Sequence, residues 1–261
     1  MTAQSNPFSE CSQDYAVSRP PYPEGLFRWI VSQCERRERA WDCGTGTGQA
    51  AATLAPLFRE VYATDVSAEQ IAQAAPIANV RYSVQAAEST NLPSASVDLI
   101  VVAQALHWFR FAEFWPEVRR VSREGATLCA FGYDWFRTDE RVERQLVTPF
   151  RAIVEPFWAK KNRILWEGYR SEDVELPFAR EQVPPFSIHL RWTANRLLAY
   201  LLTWSAYKRS ESDGVAAKRM AELMESARSL LASTEVYDVE MPLRTLAAHV
   251  RAAGGAGRAS P

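Results

Sequence analysis

Ala40-Trp41-Asp42-Cys43-Gly44-Thr45-Gly46-Thr47-Gly48-Gln49-Ala50-Ala51-Ala52-Thr53-Leu54 is the stretch on which the fold is read. A short apolar run breaks into three alternate glycines and then into helix formers, which is the order strand, tight turn, helix. Glycine in such a turn lets a ligand approach the backbone, and the N–H groups and positive end of the next helix face whatever binds there. The spacing narrows the ligand. A dinucleotide fingerprint requires Gly-x-Gly-x-x-Gly, whereas here the third glycine comes one residue early and Gln49 stands in its place. A pyrophosphate is not the expected occupant.

Outward from the loop, Val61 to Asp65 reads as a second strand ending in an acid, and Ser67 with Gln70 as a capping box opening a helix through Ala75. Val80 to Val84 is a third strand. Val97 to Val102 is almost continuously apolar, as a strand covered on both faces is. Phe111 to Val121 then reads as helix and Ala126 to Tyr133 as strand. Upstream, Pro23 and Glu24 open a helix whose Leu26, Phe27, Ile30 and Val31 recur at helical spacing. The alternation predicts an α/β, doubly wound, Rossmann-like and mostly parallel sheet of seven strands.

Beyond residue 133 the order dissolves into helical, aromatic-rich text with prolines at 149, 156, 177, 184 and 185, read as an inserted cap. The sheet resumes at Ser187 to Arg191, and Thr193 caps a helix carrying Leu197, Leu198, Leu201 and Leu202. Val236 to Met241, a turn at Pro242 and Thr245 to Arg251 read as a terminal antiparallel pair. The expected division is an N-terminal helical lid (1–39), a cofactor-binding core (40–133), the cap (134–186), the C-terminal part of the sheet (187–251) and a flexible tail (252–261).

With 47% hydrophobic and 23% charged residues the chain is of globular, not disordered, composition. Its 30 Lys+Arg against 31 Asp+Glu leave no basic excess for a nucleic acid, and the first forty residues balance five Arg with five acids. No apolar run approaches the roughly 18 residues of a membrane span, and MTAQSNPFSEC lacks a basic start followed by an apolar stretch. A cytoplasmic monomer or homodimer, away from membranes, is expected. Cysteines at 11, 34, 43 and 129 form no Cys-x-x-Cys, and histidines at 107, 189 and 249 no His-x-x-x-His, so neither a structural disulfide nor a metal site is expected.

Asp42-x-Gly-x-Gly-x-Gly followed by Asp65 resembles the class I S-adenosylmethionine-dependent methyltransferases, whose ligand carries an adenosine but no phosphate. Tyr15, Arg19-Pro20-Pro21-Tyr22-Pro23, Ala87-Glu88, Gln104-Ala105-Leu106-His107-Trp108-Phe109, Trp192-Thr193 and Leu201-x-x-Trp204-Ser205 look like the branch typified by trans-aconitate methyltransferase, from Tyr15 to about Arg251. The resemblance implies S-adenosylmethionine as cofactor. It places Tyr15 and Arg19 over the methionine carboxylate, Gly44 and Gly46 with Gln49 along the floor, and Asp65 with Val66 at the ribose. Ala87 and Glu88 would flank adenine, and Gln104 and Ala105 would pass near the sulfonium. Arg123-Glu124-Gly125-Ala126 departs from the family's Pro-Gly-Gly turn, at the sheet's opposite edge. Asp42 ranks below Asp65 as a ligand residue, since it can bond the loop backbone instead.

Methyl transfer from a sulfonium demands alignment and exclusion of water more than a fixed catalytic triad. His107, at the end of a central strand, is a candidate base, acceptor-holding cation or plain pocket wall; His189 and His249 fit structural or solvent-facing roles. Fourteen of the 75 residues from 133 to 207 are aromatic, against 11% of the whole chain. Trp135, Tyr169, Trp204 and Tyr207 are therefore candidates for an aromatic lid, although any single ring is more readily read as core of the cap. Three functions follow: methyl transfer to a small acidic molecule, cyclisation of S-adenosylmethionine with release of methylthioadenosine, and non-catalytic adenosine binding.

Overall fold

The computed structural model describes residues 20–250. Tyr15, Arg19, Cys11 and the stretch 252–261 lie outside the described residues.

Helix α1 (Glu24–Ser32) starts after Pro23 and buries Leu26, Phe27, Ile30 and Val31, the stripe its spacing predicts. The alternation then runs β1 (Arg39–Cys43), α2 (Gln49–Leu54), β2 (Glu60–Asp65), α3 (Ala68–Ala72), β3 (Val80–Val84), β4 (Val97–Ala103), α4 (Phe111–Val121) and β5 (Ser122–Tyr133). After short helices that include α5 (Thr148–Val154) and α6 (Asn162–Trp166) come β6 (Ser187–Thr193), α7 (Ala194–Leu201), α8 (Ser205–Ser210), α9 (Gly214–Ser226), α10 (Arg228–Leu231) and β7 (Val236–Val250). The strands form one seven-stranded sheet in the order β3-β2-β1-β4-β5-β7-β6. The first five pair in parallel and β7 is antiparallel to its neighbours. The order turns back at β1 and β4, so the crevice of a doubly wound sheet lies beyond the carboxyl ends of these two strands. Six of the seven residues of β4 are buried, as its apolar run requires.

Three expectations are corrected. Pro242 makes no turn: β7 is continuous, Val236–Pro242 pairing with β6 and Leu243–Val250 with β5. The proline sits where the partner strand changes, so its missing N–H interrupts neither ladder. β5 begins at Ser122 rather than Ala126, because the Arg123-Glu124-Gly125 stretch is accommodated as a bulge, Val97 pairing with Ser122 and Leu99 already with Thr127. Helix α3 stops at Ala72, short of Pro76, which disfavours helical backbone at Ala75. Its box is half formed: Ser67 Oγ accepts from the Gln70 N–H, but the Ser67 N–H is given to Asp65.

The chain divides into two compact units. The larger comprises Tyr22–Tyr133, Arg163–Phe186 and the chain from Leu243; its core joins Trp41, Ile100, Val102, Leu106, Phe114 and Tyr169. Arg180 braces it by donating to the Gly168, Tyr169 and Thr245 carbonyls. The smaller comprises Asp134–Asn162 and Ser187–Pro242. Trp135, Trp158 and Trp204 meet there with ring centroids 5.3–6.0 Å apart, so the aromatic excess of the sequence is spent largely on packing this unit. Among the described residues no helix is long and apolar enough to cross a membrane.

Candidate cofactor site

The glycine loop leaves β1 and is drawn toward β2 at once: the Gly44 and Thr45 N–H groups both donate to the Thr64 carbonyl, at 2.8 and 2.9 Å. Gly44 and Gly46 hold φ of +72° and +57°, where an L side chain is disfavoured. The two differ in surroundings. A Cβ at 44 would lie 2.6 Å from Ala105 Cβ, so this glycine permits close packing of the β1 and β4 loops. A Cβ at 46 would meet nothing nearer than Gln70 Oε1 at 3.6 Å, so this glycine keeps open space above the loop. Gln49 follows as the first residue of α2.

Two carboxylates hold the loop, in different ways. Asp42 is fully buried, and its Oδ2 accepts from Thr45 Oγ1 at 2.6 Å and from the Ala51 N–H at 2.8 Å, which ties the loop to the first turn of α2. Its Oδ1 is buried without a hydrogen-bond partner. Loss of solvation pushes its acid up to about 7, against the pull of the Thr45 and Ala51 hydrogen bonds; the neighbouring Asp65 charge adds a smaller upward push. Asp65 ends β2 with both oxygens in use: Oδ2 accepts from the Gly46 N–H and Oδ1 from the Ser67 N–H, each at 2.9 Å. A carboxylate oxygen has about two acceptor positions, so each keeps one for a further donor such as a ribose hydroxyl. Val66, next to it, is 57% exposed.

On the far side of the loop, Ala87 is buried and Glu88 Oε1 accepts from the Arg110 N–H at 2.9 Å, fixing the start of α4. Gln104, just past β4, adopts φ +58°, and its Nε2 donates to the Tyr133 carbonyl at 3.1 Å. This spends side-chain hydrogen bonding on an uncommon backbone angle at the carboxyl end of the sheet. His107 lies in the turn Leu106–Trp108, only 4% exposed, its ring centroid 4.9 Å from Trp108 and 6.5 Å from Tyr169 in a stacked arrangement. Tyr169 is fully buried at φ +53°, and its hydroxyl has no partner. Tyr22 packs edge-on against Phe131 at 4.9 Å.

The structure thus gathers Asp42, Gly44, Gly46, Gln49, Asp65, Val66, Ala87, Glu88, Gln104, Ala105, His107 and Tyr169 within the larger unit, whereas Trp135, Trp204 and Tyr207 belong to the smaller one. Tyr207 stacks on Phe150 at 5.9 Å and Trp204 is buried among Phe136, Phe150, Trp158 and Tyr200. Sequence reasoning missed Phe109, whose ring would lie 3.4 Å from a Gly44 Cβ, and Gln70 beside Gly46. Phe109 closes the Gln104–Phe109 run, so the signal was present; Gln70 carried only its capping role. The Arg123 departure lies at the opposite, amino-terminal end of β5, where Arg123 donates to the buried Asp98 at 2.7 Å.

A positive-φ glycine loop with open space above it, joined by Asp65 to the end of β2, lies at the switch point of the sheet, where doubly wound sheets bind their ligands. The methyltransferase domain family matches residues 41–130. A candidate methyltransferase of Dictyostelium discoideum is 30% identical over 243 residues, covering 90% of this chain and 92% of that protein. Among solved structures, a candidate type II methyltransferase from Anaeromyxobacter dehalogenans is 36% identical with a TM-score of 0.80, covering 90% of this chain and 99% of that one. The YcgJ protein of Bacillus subtilis, 16% identical over 88% of this chain and 100% of that one with a TM-score of 0.53, shares the fold. The chain belongs to the class I S-adenosylmethionine-dependent methyltransferases, with S-adenosylmethionine as methyl donor.

Proposed function

We propose that the protein methylates a small molecule carrying a carboxylate, as expected of the trans-aconitate methyltransferase-like branch. The observation that carries the reading is the open space above Gly46 beside Asp65, whose two oxygens each keep an acceptor position, with Gln104 to Phe109, the run that resembles this branch, following β4 in the same unit.

In this reading Asp65 receives the ribose hydroxyls, and Gly46 leaves room for the ligand above the loop. Ala87 with Glu88 borders the adenine, and Gln104 with Ala105 lies beside the reacting centre. S-adenosylmethionine supplies an activated methyl on sulfur. The protein aligns the acceptor oxygen and keeps water out. A carboxylate is already deprotonated at pH 7, so His107 serves as wall and positioning residue rather than as base.

The test is to incubate the protein with S-adenosylmethionine, alone and with a panel of small mono-, di- and tricarboxylic acids, and to identify the nucleoside product. S-adenosylhomocysteine appearing only with an acid is expected. Methylthioadenosine without any acceptor would establish cyclisation, and methylation of neutral or amine acceptors alone would overturn the acidic class.

A further inference from the structure

The smaller unit contains a cavity of about 310 Å³ between α8 and α9, lined by Tyr207, Ser210, Glu211, Met220, Ala221 and Met224 among others. That is within the range of small-molecule pockets. Its walls and its end differ in chemistry. Met220, Ala221 and Met224 make an apolar slot whose thioethers adjust to irregular shapes. The polar end is rich in acceptors. Ser210 Oγ donates to the Tyr207 carbonyl at 2.7 Å, and the Tyr207 phenol lies near the Glu211 carboxylate, whose charge helps to hold the phenol proton. Toward the cavity the serine oxygen and the carboxylate have only lone pairs to offer, and the phenol oxygen can accept as well. Lys208 Nζ, at 3.8 Å from Glu211 Oε2, offsets that charge only weakly, since both side chains are nearly half exposed.

We propose that this cavity binds an amphiphilic amine, its apolar body in the methionine slot and its protonated head on Ser210, Tyr207 and Glu211. An ammonium brings up to three donors to an end dominated by acceptors, a hydroxyl brings one, and a carboxylate brings none and meets Glu211 as a like charge. The site is a feature of the smaller unit alone and does not depend on which acceptor is methylated.

n-Octylamine, n-octanol and octanoate share one apolar chain and differ in the head. Calorimetric titration of the full-length protein at pH 7 is expected to rank them amine, alcohol, acid, with the amine at least about tenfold tighter than the acid. Glu211→Gln is expected to remove the amine's advantage over the alcohol, and Lys208→Ala to increase it. Ala221→Phe, a substitution at an exposed position that fills the slot, is expected to abolish binding of all three while S-adenosylmethionine binding in the same sample persists. Absence of octylamine binding, equal affinity for octylamine and octanoate, or octylamine binding retained in Ala221→Phe would overturn the proposal. A failure of methyl transfer to acids would leave it standing.

Discussion

Replacing Asp42 by asparagine isolates the charge that the glycine loop buries. The amide side chain keeps one oxygen for the Thr45 hydroxyl and the Ala51 N–H, the two bonds that Asp42 Oδ2 accepts. It cannot ionise. In the native protein burial raises the Asp42 acid from 3.8 to about 7, so between these values the folded chain holds a proton that the unfolded chain has released. Stability contributed by this group therefore falls as pH rises from about 4 to about 7 and is level above that, the sign for an acid whose folded pKa is raised. Three pH units of difference correspond to about 4 kcal/mol, an upper bound because water entering the loop would relieve part of it. The amide nitrogen placed where Oδ1 now lies finds no acceptor, which costs the variant about 1–3 kcal/mol independently of pH. Urea unfolding of both proteins at half-unit steps from pH 4 to 8 should thus show the variant gaining on the parent by several kcal/mol across the window. A difference that stays flat, or that moves the other way, would refute the claim that Asp42 is a charge held at a cost. Calorimetry on the same samples should show S-adenosylmethionine affinity much less affected than by substitution at Asp65.

Asp65→Ala removes the acceptor shared by the Gly46 and Ser67 N–H groups; it should lower the melting temperature and weaken S-adenosylmethionine binding at least about tenfold. Unchanged calorimetric affinity in a folded variant would remove Asp65 from the site. Gly44→Ala should cost more stability than Gly46→Ala although both glycines have positive φ, because only at 44 does the new methyl land 2.6 Å from Ala105; equal melting temperatures would contradict this. Tyr169→Phe deletes a buried hydroxyl without a partner and should raise unfolding free energy by about 1–3 kcal/mol in urea titration, a lower value showing that the hydroxyl is satisfied in the native protein. His107→Asn should leave the shape of the pH–rate profile unchanged, since a carboxylate acceptor needs no base. Loss of an acidic limb in the variant would establish His107 as the base and refute the acceptor class.

The elements that were legible are those that obey local rules. The α1 stripe, the Thr193 cap, whose side chain accepts from the Arg196 N–H, and the buried run of β4 each follow from periodicity or capping over a few residues. The two strand expectations that failed depended on distant strands. Pro242 reads as a turn to any local rule; that it lies within a fifteen-residue strand follows only from a change of partner, β6 on one side of it and β5 on the other. The early start of β5 is likewise set by its register with β4, which no window of sequence displays.

The same distinction governs the site. Glycine spacing and the strand-end acid make Asp65 a candidate from sequence, because each belongs to a local strand–turn–helix pattern. The hydrogen bonds that make the site an assembled object are long-range. Asp65 joins the β1 loop to the start of α3, Glu88 anchors α4, and Gln104 reaches the end of β5. Each therefore has an architectural duty in addition to the one proposed toward the ligand, and loss of any one side chain acts on both. A drop in activity alone cannot separate the two roles. Cofactor affinity measured beside unfolding free energy can, since an architectural loss lowers stability without ligand, whereas loss of a ligand contact lowers only the stabilisation that added S-adenosylmethionine confers.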